Sequence, residues 1–138
     1  MGIKKNSVNK RRRLSIIIIS CTLLFLIFGS IMQYTTLKKF RNIPIANIDT
    51  SAINDGTYNG QSTFGSFTYK VSVVVLNHTI MDIKIIQNRQ SDYARFAEGV
   101  VSKIIKAQKT NVEAITEATT TSKCILKAVK NALTQSNK

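Results

Sequence analysis

A run of 24 positions without one charged residue, Leu14 to Leu37, constrains this chain more than any other feature. Its centre reads Ile16-Ile17-Ile18-Ile19 and then Leu23-Leu24-Phe25-Leu26-Ile27-Phe28. As a helix it extends about 36 Å at ~1.5 Å per residue. The hydrocarbon core of a bilayer is about 30 Å thick, so the run is long enough to cross with some tilt. A core helix of a soluble domain carries one apolar stripe and a polar back; this run has no polar face. The expectation is a single transmembrane helix over 14–37.

The flanks set an orientation. Lys4, Lys5, Lys10, Arg11, Arg12 and Arg13 precede the span without an acid among them, and Lys38, Lys39 and Arg41 follow it. The basic excess before the span places residues 1–13 in the cytoplasm and the remainder outside, with the C-terminal domain extracytoplasmic at the cell membrane. Retention of the anchor is favoured because no A-x-A-like cleavage site is visible. Two alternatives stay open: cleavage near Gly29-Ser30, and a lipoprotein box at Ile18-Ile19-Ser20-Cys21, although the apolar run continues well past Cys21.

The formal charge of +13 suggests nucleic acid at first sight. Its distribution argues otherwise, since six of the twenty basic residues belong to the leading segment, and from residue 38 onward 14 basic residues face 7 acidic ones. Nucleic acid is therefore not an expected partner. One histidine, His78, excludes a multi-histidine metal site within one chain, and two cysteines exclude a disulfide framework. Cys21 lies in the span and Cys124 outside it, so they cannot pair within one chain; Cys124 reads as a small packed hydrophobe.

Residues 38–54, with Pro44 and small polar residues, read as a linker, and 55–138 as one small domain. Gly56 and Gly60 bound a short strand around Tyr58. Phe67 to Leu76 alternates as a strand with Tyr69, Val71, Val73 and Val75 on one face. Asn77-His78 marks a tight turn, with His78 in solvent. Thr79 to Ile86 returns with Met81, Ile83 and Ile85 on one face. A helix capped by Ser91 or Asp92 follows, with Ala97, Val100, Val101, Ile104 and Ile105 as its stripe. After a break at Lys109-Thr110-Asn111, a second helix runs from near Ser122 to about Leu133. Lys123, Lys127 and Lys130 read as its solvated face. The fold class is α+β: an antiparallel hairpin sheet packed on two helices.

Between the helices lies Val112-Glu113-Ala114-Ile115-Thr116-Glu117-Ala118-Thr119-Thr120-Thr121-Ser122. Hydroxyls before a helix start have two readings. They cap the helix in a polar loop, or they add donors to a phosphate drawn to the free N–H groups and the positive dipole end.

This string, with Gln108 before it and Ile125, Ala128, Val129, Ala132 and Leu133 after it, resembles the FMN-binding domain family. The family pattern runs roughly A-Q-x-x-x-V-D-A-V-S-G-A-T-x-T-S, and Asp55-Gly56-Thr57-Tyr58-x-Gly60 resembles its D-G-x-Y-x-G opening. The similarity covers about residues 54–133. The family includes flavin-carrying subunits of sodium-pumping NADH:quinone reductases and Rnf-type complexes, and small anchored extracytoplasmic flavoproteins. The resemblance implies FMN as cofactor, attached in many members through its phosphate by a flavin transferase. Thr119 stands at the acceptor position, Thr116 at the motif's Ser, and Thr121 with Ser122 at the pair beside the phosphate. The implied role is electron transfer with redox partner proteins that the sequence does not name. Two residues depart from the pattern: Glu117 replaces Gly, and Glu113 replaces Asp. If the Gly position is left-handed, Glu there costs about 1–2 kcal/mol.

Phe64, Phe67, Tyr69, Tyr93 and Phe96 are the aromatic candidates for neighbours of the flavin ring, each with core packing as the alternative. Two other functions compete: a domain without flavin serving as an interaction module of an envelope complex, suggested by Glu117 and Glu113, and a basic surface for anionic wall polymers. A hydrolase is not expected, since nothing in the sequence directs a Ser–His–acid set at His78.

Overall fold

The computed structural model describes residues 3–135, with side chains from residue 12 onward. The chain divides into two compact units that meet between Phe40 and Arg41.

The first unit is the body of helix α1, Ile3–Arg41. Its stretch Arg12–Arg41 has a mean hydropathy of 2.6 over its most apolar window and is, among the described residues, the one helix long and apolar enough to cross a membrane. Apolar side chains such as Ile17, Leu24, Phe25 and Phe28 project outward and stay exposed among the described residues. The hydroxyls within the run turn back on the helix: Thr22 donates to the Ile19 carbonyl (2.8 Å) and Ser30 to the Leu26 carbonyl (2.9 Å). Polar groups satisfied inside the helix are what a hydrocarbon environment demands.

The second unit is an α+β domain. Strands β1 (Gly56–Phe64), β2 (Phe67–Leu76) and β3 (Thr79–Gln87) form an antiparallel meander in the order β1-β2-β3. Both hairpins turn on two residues. Gly65 takes a left-handed φ of 60° in the first, and Asn77 and His78 take 51° and 56° in the second. Two successive left-handed residues match the right-handed twist of the strands they join. His78 is exposed, as expected, yet it is anchored: its Nδ1 lies 2.7 Å from the Ile53 carbonyl. The Asp55 carboxylate accepts from the backbone N–H groups of Asn77 and His78, which holds it below the ordinary carboxylate range.

Two details of the sheet depart from the alternation read in the sequence. The expected short strand around Tyr58 is nine residues long, and Gly60 lies inside it. A Cβ at Gly60 would come within 2.1 Å of the Ala128 carbonyl oxygen and 2.5 Å of the Ala132 nitrogen. Gly60 is therefore the place where a helix rests directly on strand backbone, not a strand breaker. In β3 a bulge opposite Val74 and Val75 shifts the phase, so Val75 faces Ile80 while Val74 faces Asp82. Ile80 is buried and Met81 is turned outward, the reverse of the strict alternation.

The expected helix after Ser91 is two short ones, α2 (Asp92–Ala97) and α3 (Val100–Ala107). Ser91 caps α2 as anticipated, its side chain accepting from the Ala94 N–H. The interruption falls at Glu98-Gly99, where glycine is a poor helix former. Helix α4 runs Thr119–Gln135 and starts three residues before the expected Ser122. Its hydroxyls therefore occupy the first turn instead of preceding it. Ser and Thr favour caps, but here Thr121 and Ser122 pack inward, and that burial overrides the local preference.

Helix α4 lies across β1 and β2, with α3 beside it over β3. The core joins Val71, Val73, Val75 and Ile83 of the sheet to Ile104 of α3 and to Ile125, Val129 and Leu133 of α4. The stretch after Arg41 is built into this unit. Ile53 is fully buried, Ile45 and Ile48 pack on the core, and buried Thr110 donates its hydroxyl to the Ala46 carbonyl while accepting from the Ile48 N–H.

Candidate functional site

The connection from α3 to α4 opens and closes on a left-handed residue, Gln108 (φ 52°) and Glu117 (φ 70°). Gln108 ends α3 and uses its amide fully. Its Oε1 accepts from the Ile80 N–H (2.8 Å), and its Nε2 donates to the carbonyls of Ile80 (2.9 Å) and Ile105 (2.6 Å). The side chain thus fixes the start of β3 to the end of α3. Glu117 has no such bond among the described residues and its side chain is exposed. The left-handed backbone that the family's Gly position suggests is present here, on a residue that bears a Cβ.

Beyond Glu117 the chain enters α4 through Ala118, whose carbonyl accepts from the Ser122 N–H (3.0 Å). The N–H groups of Thr119, Thr120 and Thr121 fall in the first turn, where no intrahelical acceptor exists. No acid occupies that turn. The hydroxyls divide into those held by the fold and those available. Ser122 is fully buried, and its Oγ accepts from the Ile115 N–H (3.2 Å), tying the loop to the helix. Thr121 is buried in the same part of the core as Tyr69 and Cys124. Thr119 is half-buried at the helix start, and Thr116 is exposed in the turn before it. Burial pushes the Cys124 thiol up to about 11, so at neutral pH it is a packed thiol, as its reading as a small hydrophobe anticipates.

A cavity of about 260 Å³ opens against this helix start, lined by Arg41, Arg89, Ser91, Tyr93, Glu117, Thr120 and Thr121, with Ala118 beside them. The Arg41 Nε donates to Thr120 Oγ1 (3.3 Å). The Arg89 guanidinium lies 4.1 Å from the centroid of the Phe67 ring. A larger hollow of about 610 Å³ lies between the end of β3 and α2, and it shares Arg89 and Ser91 with the first. It contains none of Thr116, Thr119, Thr121 and Ser122, whereas the smaller cavity is lined by Thr121.

Of the four predicted site residues, the structure brings Thr121 alone to the cavity lining; Thr119, at the head of the same helix turn, lies outside the lining, as do Thr116 and Ser122. Of the aromatic candidates, Tyr93 lines the cavity, Phe67 carries Arg89, and Tyr69 is core. Arg41, Arg89 and Thr120 were not singled out by sequence reasoning. Arg41 counted there only as a flank of the span, and Arg89 sits in an unpatterned stretch between a strand and a cap.

The donors fit the phosphate end of a flavin mononucleotide. Arg41, Arg89, Thr120 and Thr121 line one hollow at the start of a 17-residue helix, and guanidiniums, hydroxyls and a helix N-terminus each favour an anion. The carboxylate of Glu117 is the one opposing charge in the lining.

A family model described as the FMN-binding domain matches residues 65–134, from the first hairpin turn to near the end of α4. The matched span contains Arg89, Glu117 and the hydroxyl run and excludes Arg41 and β1. No curated protein matches the chain.

Proposed function

The chain belongs to the FMN-binding domain family, whose cofactor is FMN, and from that premise we propose that it is a membrane-anchored extracytoplasmic flavoprotein acting in electron transfer. The observation that carries the reading is the left-handed Glu117 followed by a hydroxyl-bearing first helix turn, with two arginines facing it. When bound, the flavin supplies the redox chemistry. The protein's part is to bind and orient. The first turn of α4 presents its N–H groups, Thr120 adds its hydroxyl, and Ser122 locks the loop so that the turn keeps its shape. Thr119, half-buried at the head of that turn with no side-chain partner among the described residues, is the residue offered to a flavin transferase as phosphate acceptor. Thr116, exposed in the turn before it, belongs to the same binding segment.

The anchor reading rests on α1, long and apolar enough to span a membrane, and the orientation on the basic lead of six residues. Redox partner proteins outside the cytoplasm complete the proposal. A second reading, an interaction module without flavin, is favoured by Glu117, which carries a negative charge where a phosphate is expected.

The test purifies the full chain from membranes of cells that also produce a flavin transferase. Flavin absorbance that co-purifies with the chain and bleaches reversibly on reduction supports the proposal. A colourless chain supports the interaction module. For topology, protease added to intact cells is expected to remove the outer domain and leave a small membrane-bound fragment; digestion of the leading segment instead reverses the orientation.

A further inference from the structure

We propose that Arg41 and Arg89 form a two-arginine clamp for the phosphate of FMN, and that Arg41, supplied from outside the family's matched span, offsets the charge of Glu117. The inference rests on the flavin reading above and adds to it the residues that distinguish FMN from riboflavin.

Three charged side chains line the cavity, Arg41, Arg89 and Glu117, for a net charge of +1. Neither arginine is spent on a carboxylate: among the described residues the one salt bridge joins Arg95 to Asp92. Both guanidiniums are exposed and border the same hollow, so an anion bound there is attracted by both. Each guanidinium is also held in place. Phe67 supports the face of Arg89 at 4.1 Å, which leaves its in-plane N–H groups free to bond. Arg41 is steadied by its Nε bond to Thr120, the residue next to Thr119. Pre-placed guanidiniums suit a phosphate, whose oxygens accept paired N–H bonds.

The charges also explain how Glu117 is tolerated. A phosphate esterified to a side chain and to the flavin's own chain keeps one negative charge. Against Arg41, Arg89 and Glu117 that charge brings the cavity to neutrality. With glycine at 117, one arginine would suffice. Arg41 and Glu117 are thus a matched pair, and their effects on FMN binding should be coupled.

The experiment uses the full chain in detergent, produced without a transferase, and titrates it with FMN and with riboflavin, which lacks the phosphate. The unmutated chain is expected to bind FMN more tightly. Arg89→Gln and Arg41→Gln should each weaken FMN binding by about 10- to 100-fold, the range for a charge-assisted hydrogen bond, and leave riboflavin unchanged. Riboflavin binding then reports that each variant is folded. Arg89→Lys should retain part of the preference. In a Glu117→Gly background, Arg41→Gln should cost less than it does alone. FMN binding with an unaltered FMN-to-riboflavin ratio in both glutamine variants overturns the clamp and leaves the flavin reading standing. Failure of the unmutated chain to take up either flavin, with or without a transferase, overturns the flavin reading and the clamp with it.

Discussion

Gln108 and Glu117 are nearly the same size, sit at opposite ends of one connection, and adopt the same left-handed backbone. Their surroundings differ completely. Gln108 makes three hydrogen bonds that fasten β3 to α3, so the strain of its backbone is repaid on the spot. Glu117 makes none and projects into solvent at the cavity mouth. Strain without local compensation is retained where it serves a site. The first residue is part of the scaffold, and the second borders the hollow that we propose as the flavin phosphate site.

Four substitutions break or sharpen that contrast. The largest effect is expected at Gly60, where α4 rests on the backbone of β1 and no side chain fits. Gly60→Ala sets a methyl against helix backbone and should destabilise the α+β domain by about 3 kcal/mol or more, read as a lower denaturation midpoint; a shift near zero would show that α4 is free to move. Gln108→Gly keeps the left-handed backbone and removes all three bonds. A loss of about 2–3 kcal/mol is expected from the groups left unpaired at Ile80; tolerance of this change would erase the difference between the two positions. Ser122→Ala frees the Ile115 N–H and should cost about 1–2 kcal/mol. Glu117→Gly is expected to act in the opposite direction, raising stability by up to about 1 kcal/mol as the left-handed strain is relieved. Destabilisation there would mean that Glu117 is held by the fold after all.

The thiol of Cys124 gives a smaller, chemical readout of the same rigid packing. Raised to about 11 by burial, it stays protonated at neutral pH. Iodoacetamide should label it only after denaturation, and labelling mapped to Cys124 in the folded chain at pH 7.5, as distinct from the exposed Cys21, would show that the start of α4 opens.

Much of this arrangement is legible in the sequence. The long apolar helix is evident from Leu14–Leu37, the α+β class from strand alternation around Tyr69–Val75 and helical stripes after it, and the Ser91 cap from its residue type. Three kinds of detail are not. Bulges shift phase without a local marker, so Ile80 and Met81 exchange faces. Glycine looks the same in sequence whether it breaks a strand or lets a helix touch it, so Gly60 was read the first way. Local preference also places Thr119–Thr121 outside α4, because burial of Thr121 and Ser122 against the sheet is a tertiary effect. The site divides similarly. Thr119, Thr121 and Glu117 come from the motif string, whereas Arg41 and Arg89 join them only through folding, one from the end of α1 and one from the end of β3.

The central claim, that this hydroxyl-bearing turn carries FMN, is tested most directly by the intact mass of the denatured full chain made alongside a flavin transferase. The expected result is an increase equal to one FMN less one water, mapped to the peptide that contains Thr119 and absent from Thr119→Ala. An unmodified mass for the unmutated chain, or a modification that survives Thr119→Ala, would contradict it.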